Sequence, residues 1–155
     1  MPDAEASIRD AYLHWMRASA PAFLAPFALI VVSQARAGGT ASAAPPGMRS
    51  ALTALAIGSV LFGRSFTRRI PASPSGIPAE RARALVRSTS WSLVGFATAP
   101  SVLGLLLVLF TRSAGDALVM LGLTLAGFVL LYPRAAQWQA WLGHLTASAT
   151  EVPAS

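Results

Sequence analysis

Few residues of this chain are equipped for chemistry, and their spacing narrows the choice further. His14 and His144 stand near opposite ends, and neither has a second histidine or a carboxylate at a metal-ligand spacing such as His-Glu-x-x-His, so no metal and no other cofactor is expected. Cysteine is absent, which removes thiolate nucleophiles, disulfides and Cys-ligated metals. Serine and threonine are plentiful, but no Gly-x-Ser-x-Gly elbow exposes one of them and no Walker-type glycine loop is present. Long apolar runs carry no Asp, Glu, Lys, Arg or His near their centres, so a carboxylate proton relay has no candidate and the chain reads as non-enzymatic.

Hydroxyls and helix breaks remain. Residues 96–110 read FATAPSVLGLLLVLF, with Thr98 and Ser101 flanking Pro100. Pro100 cannot donate to the carbonyl of Phe96, so a kink is expected there. The Thr98 hydroxyl is placed to bond the carbonyl three or four residues back, which makes it a structural helper at the proline. The sharper alternative has Thr98, Pro100, Ser101 and Ser33 lining a path for a neutral or lipophilic solute, in a small transport or permeation protein.

The elements that must position these residues follow from composition. Of 155 residues 54% are apolar and only 12% charged, about half the charged share of an ordinary soluble domain. All twelve cationic side chains are arginine, a bias that fits a GC-rich, bacterial coding sequence. The net charge of +6 would suit nucleic acid, but the arginines fall in short segments between apolar runs, as loops beside anionic headgroups would have them. A spanning helix needs about 20 mostly apolar residues. Four runs meet that requirement, at about 18–35, 48–66, 88–111 and 116–133. The second has only fourteen charge-free residues, 50–63, and reaches spanning length if Arg64 snorkels. Pro, Gly and Ser punctuate the connections, and Pro78-Ala79-Glu80 marks a helix start near residue 79, inside the 67–87 loop. Asp116, following Gly115, reads as the cap of the fourth helix.

The arginine count sets the orientation. Arg9, Arg17, Arg64, Arg68, Arg69, Arg81, Arg83, Arg87 and Arg134 lie on one side, and Arg36, Arg49 and Arg112 on the other. The excess belongs in the cytoplasm, which puts both termini there, in a bacterial inner (plasma) membrane. Arg64, Arg68, Arg69, Arg81, Arg83 and Arg87 are expected to contact lipid headgroups; a tether to a cytosolic partner through the same loop is a further possibility. Ala35-Arg36-Ala37 imitates a signal-peptidase site, but the acidic Asp3, Glu5 and Asp10 ahead of it favour a retained span.

Amphipathic segments flank the spans. Ile8, Ala11, Tyr12, Trp15 and Met16 recur at helical spacing, as do Trp138, Trp141, Leu142 and Leu145 in the segment 134–147. Trp15, Trp138 and Trp141 are expected as interfacial anchors. Small residues four apart, Ala54 and Gly58, Gly95 and Ala99, Gly122 and Ala126, predict close helix packing.

The runs pair as two helical hairpins, 18–66 and 79–133, each opening with a helix that holds an Ala-Pro pair, Ala25-Pro26 and Ala99-Pro100. The stretch Ala97-Thr98-Ala99-Pro100-Ser101-Val102-Leu103-Gly104-Leu105 resembles the ion-carrying helix of rotor-ring c subunits of ATP synthases, and more closely that of four-helix bacterial membrane proteins related to them. The resemblance covers residues 85–134, ends near Pro133-Arg134 and implies a hairpin fold. Those families carry glutamate where this chain has Thr98, which has no proton to give at physiological pH. The first helix also lacks the rotor's dense glycine ladder, and the arginine count turns the hairpin loops outward, so a rotor role is not expected. The expectation is an all-α membrane protein with four transmembrane helices in two hairpins and short interfacial helices at both ends. It would be a structural or accessory subunit that packs, within the lipid bilayer, with itself or with other membrane subunits, without nucleic acid or metal.

Overall fold

The computed structural model describes residues 17, 22–36, 45, 47–68, 75–132 and 135–146. Among these the chain is all helical, with five α-helices and no strand. They are α1 (Leu24–Arg36), α2 (Met48–Phe66), α3 (Ala79–Thr111), α4 (Ala114–Leu131) and α5 (Ala135–Thr146). Trp15, Arg69, Arg134 and the N-terminal amphipathic segment lie outside the described residues.

Helix α3 organises the rest, because it touches each of the other four. Its start at Ala79 follows from Pro78 at the cap position and Glu80 in the first turn, where a carboxylate faces the positive end of the helix dipole. At 33 residues it is about 50 Å long, against a bilayer hydrocarbon core of about 30 Å. Arg112 terminates it in the left-handed region, at φ 49°, with its N–H on the Val108 carbonyl. Ser113 then caps α4, its hydroxyl accepting the Asp116 N–H at 3.2 Å. The cap is therefore Ser113 rather than Asp116, because a serine three residues before a free N–H has the reach that cap geometry requires. Asp116 instead bonds Arg49 Nε at 3.0 Å, tying the start of α2 to the start of α4.

Contacts along the bundle fix the run of each helix. Phe23 stacks on Phe128, 5.1 Å between ring centroids, while Leu29 lies where a Gly104 side chain would go. Phe66 meets Phe96, and Leu131 lies against Gly63. The four longer helices thus alternate in direction. Two helices, α3 and α4, are long and apolar enough to cross a membrane. These two form an antiparallel hairpin through the Arg112–Ser113 turn. Helices α1 and α2 do not pair along their lengths; each packs on α3 and α4, so of the two expected hairpins only the second is a packed unit.

Close approach comes from glycines other than those whose spacing suggested it. A Cβ on Gly104 would lie 2.7 Å from the Met120 Cβ, and one on Gly63 would lie 2.7 Å from Leu131 Cδ1. Gly58, Gly95 and Gly122 have nothing within 4 Å of a built Cβ, and Ala54 and Ala126 are exposed, so the four-residue pairs look outward. Gly104→Ala is accordingly expected to cost about 1–3 kcal/mol, since Met120 Cβ moves only with its backbone, while Gly122→Ala leaves stability unchanged or slightly raised. Thermal unfolding of the two variants in detergent checks the difference, and equal midpoints would contradict the packing.

Candidate functional site

The residues singled out around Pro100 sit at the middle of the α3 seam. Pro100 and Ser101 are buried, Thr98 is half-buried, and α3 continues unbroken through the proline. Thr98 donates its hydroxyl to the Val94 carbonyl at 2.6 Å, with the Gly95 carbonyl at 3.2 Å. The carbonyl that Pro100 leaves without a helical donor, that of Phe96, is approached from α2 by Ser59 Oγ at 3.4 Å. Ser59 also donates to the Ala56 carbonyl at 2.8 Å, and a hydroxyl has one proton, so Phe96 is only weakly served. Ser59 could not be found from sequence, because its partner lies 37 residues away.

Across the seam, Ser101 Oγ lies 2.7 Å from Thr124 Oγ1, both residues fully buried. Thr124 donates its single proton to the Met120 carbonyl at 2.8 Å, so Ser101 is the donor in the bond between them. The result is a directed chain, Ser101 to Thr124 to the α4 backbone. The other helix hydroxyls turn back on their own turn: Ser33 bonds Ile30, Thr89 bonds Leu85, Ser90 bonds Val86 and Thr111 bonds Leu107. That is the local alternative an aliphatic hydroxyl takes where water is scarce. The arrangement satisfies polar groups; with each proton already donated to a neighbour, none of these hydroxyls is set up as a nucleophile beside a base.

An open apolar groove of about 450 Å³ runs beside this seam, between α2 and α3, lined by Ala54, Leu55, Gly58, Ser59, Phe62 and Phe96. Among the described residues no three His, Asp or Glu side chains come together.

The expected boundary residues divide. Arg64, Arg68, Arg81, Arg83 and Arg87 are exposed and make no ion pair among the described residues. Trp138 and Trp141, expected as interfacial anchors, are each only 3% exposed. They pack with Leu145 onto Ala82, Val86, Leu93 and Ala97 of α3 and Leu131 of α4, because α3 runs far enough beyond its apolar part to offer them a protein surface. Among the described tryptophans the exposed one is Trp91, at 50%. It stands eight residues after Arg83 and four after Arg87, a helical spacing that was available in the sequence.

Compared with protein-family models, with curated proteins and with solved structures, the chain matches none of them.

The Ser101–Thr124 bond gives a direct energetic test. The coupling energy between Ser101 and Thr124 should be about 0.6 kcal/mol and not more than about 1.7 kcal/mol, the range of double-mutant cycles for hydrogen bonds between transmembrane helices. Thr124→Val should cost more than Ser101→Ala, since it leaves the buried Ser101 hydroxyl to find a new acceptor. The double variant should therefore fall short of the sum of the two, measured as a thermodynamic cycle of unfolding in detergent. Strict additivity would remove the bond from the account of stability.

Proposed function

We propose that the chain is a non-enzymatic, multi-pass bacterial inner-membrane protein. In this reading α1, α2, α3 and α4 all cross the bilayer, and the protein serves as a structural or accessory subunit that assembles with itself or with a larger membrane complex. One observation carries the membrane part of this reading, the distribution of side-chain sizes. The contact faces between helices hold Ala56, Gly63, Ala97, Ser101, Gly104, Thr124 and Gly127, all buried. Leu29, Leu93, Leu107, Val108 and Met120 are buried beside them, but many other large apolar side chains stand outside: Phe27 at 64% exposure on α1, Leu55 at 61% on α2, Val102 at 50% on α3, Leu118 at 68% and Val129 at 77% on α4. In a soluble bundle the large side chains fill the core, and extended exposed apolar surface is a liability. In lipid it is the normal outer face, with small residues letting backbones approach. The apolar stretches of α3 and α4 are only 44% and 33% buried, which a soluble core helix would reverse.

The arginines support an orientation. Arg64 and Arg68 close α2 and Arg81, Arg83 and Arg87 open α3, toward one end of the bundle, and Arg36, Arg49 and Arg112 stand at the other. With the richer end in the cytoplasm, α5 and the first turns of α3 are cytoplasmic. Assembly is supported by the outward small pairs, Ala54 with Gly58 and Gly122 with Ala126, which are exposed and, among the described residues, covered by no other helix.

Because the sequence has no cysteine, single introduced thiols report topology directly. Ala114→Cys should react with a membrane-impermeant maleimide in intact spheroplasts, and Ala140→Cys only after permeabilisation. Equal labelling of both would overturn the orientation, and release of the chain by alkaline carbonate would overturn membrane insertion. In mild detergent the protein should run larger than a monomer or bring other membrane proteins with it; a monomer that co-purifies with nothing ends the subunit proposal. Thr98→Val should leave assembly unchanged. Solute flux in proteoliposomes that depends on Thr98 would favour a permeation protein instead.

A further inference from the structure

Helix α3 is longer than a bilayer needs, and the surplus has two unlike sides. About 13 of its residues extend past a 30 Å span. On one side of this arm Ala82, Val86 and Leu93 bury themselves under Trp138, Trp141 and Leu145 of α5. Helix α5 is in turn held at its end by two backbone bonds, from the Gly76 and Ile77 N–H groups to the Leu145 carbonyl, at 2.9 and 3.1 Å. The arm is therefore fixed in direction. Away from α5, Arg83, Arg87 and Trp91 follow one another at four-residue spacing, all exposed. The same stripe continues through Gly95, Val102, Leu106 and Leu109, again all exposed.

Along its length the stripe changes from cationic to aromatic to aliphatic. Neither arginine has an ion-pair partner among the described residues, and Glu80 is the only acid on the described part of the arm. From Trp91 to Val102 the helix rises about 16 Å, which is one leaflet of hydrocarbon. Gly95, one turn after Trp91, has nothing within 4 Å of a built Cβ and leaves open space on the stripe.

We propose that this stripe seats one anionic phospholipid of the leaflet from which the arm projects. The guanidinium groups of Arg83 and Arg87 hold its phosphate, Trp91 lies at the glycerol level, and an acyl chain runs over Gly95 toward Val102 and Leu106. Guanidinium forks match phosphate oxygens in pairs, which a lone positive charge at a membrane surface does not. The charge complementarity is with a phosphodiester set at a fixed depth beside apolar surface, which is what distinguishes a lipid from a soluble acidic partner. The inference rests on the membrane reading above.

The test reconstitutes the full chain into phosphatidylcholine vesicles doped with brominated-chain phosphatidylglycerol or, separately, brominated-chain phosphatidylcholine, and follows tryptophan quenching. The anionic probe is expected to quench more steeply, by about fivefold per arginine in apparent affinity. In a Trp15→Phe background that excess should vanish on Trp91→Phe, because Trp138 and Trp141 are buried, and should fall to the zwitterionic level in Arg83→Gln/Arg87→Gln, with helicity by circular dichroism confirming that the variants are folded. Equal quenching by both probes in the unaltered chain, or an excess that survives the double arginine substitution, overturns the seat. An excess abolished by inorganic phosphate in the buffer overturns the lipid in favour of a free anion. Vesicle flotation separates the two levels: a chain that floats without lipid preference defeats this inference alone, and one that fails to float defeats the membrane reading with it.

Discussion

A Cβ on Gly127 would lie 3.3 Å from the Ala97 Cα, and one on Gly104 would lie 2.7 Å from the Met120 Cβ. Midway between these contacts Ser101 bonds Thr124. The α3 positions 97, 101 and 104 thus meet 127, 124 and 120 of α4 in antiparallel register, at the i, i+4, i+7 spacing of one helix face. Everything else in the bundle leans on this seam. It brings two backbones close enough for dispersion contacts along their length, and it places a buried hydrogen bond between two side chains, Ser101 and Thr124, at the level of Pro100. Helices α1 and α2 have no comparable contact with each other and are held through their packing on the pair.

The surroundings of Pro100 on α2 bear on how α3 accommodates a proline. Losing the N–H at Pro100 exposes the Phe96 carbonyl one turn back. In an isolated helix in lipid such a group would be costly. Here α2 brings the Ser59 hydroxyl to 3.4 Å, and the rings of Phe62 and Phe66 pack edge-on against Phe96, at centroid distances of 5.3 and 5.7 Å. Thr98 serves a different carbonyl, that of Val94, so the Phe96 carbonyl has only the weak approach of Ser59. The Thr98 hydroxyl therefore has its proton already donated within its own helix.

Helix content and the course of α3 were legible because they depend on local signals. Pro78 and Glu80 mark a start, Gly115 and Asp116 announce the next although the cap itself is Ser113, and apolar runs of helix length separate them. Which face of each helix packs was not legible. Small residues spaced by four occur on more than one face, and sequence alone could not tell the outward Gly122 and Ala126 from the inward Gly127. The failure has a physical cause: a soluble helix is oriented by having apolar residues on one side and polar ones on the other, and that contrast is lost when the exterior is as apolar as the contacts. For the same reason Arg49 read as a loop charge until α4 placed Asp116 beside it. The two C-terminal tryptophans illustrate a further limit. Their spacing fits an interfacial helix and a docked helix equally well, and only the length of α3 decides between them.

That length links the arm to the bundle. A polar helical segment of a dozen residues standing alone in water would be marginal. Burying Trp138, Trp141 and Leu145 against Ala82 and Val86 supplies tertiary support where helix propensity is insufficient, and large aromatic side chains contribute the most area to such a contact. The cluster does not stop at the arm. It continues through Leu93 and Ala97 to Leu131, the last residue of α4. Ala97 belongs at once to this cluster and to the α3–α4 seam, so the docking of α5 and the close approach of the two long helices share a residue. Repacking at Trp141 would therefore be felt at Gly127, by displacement of a backbone that has no spare room.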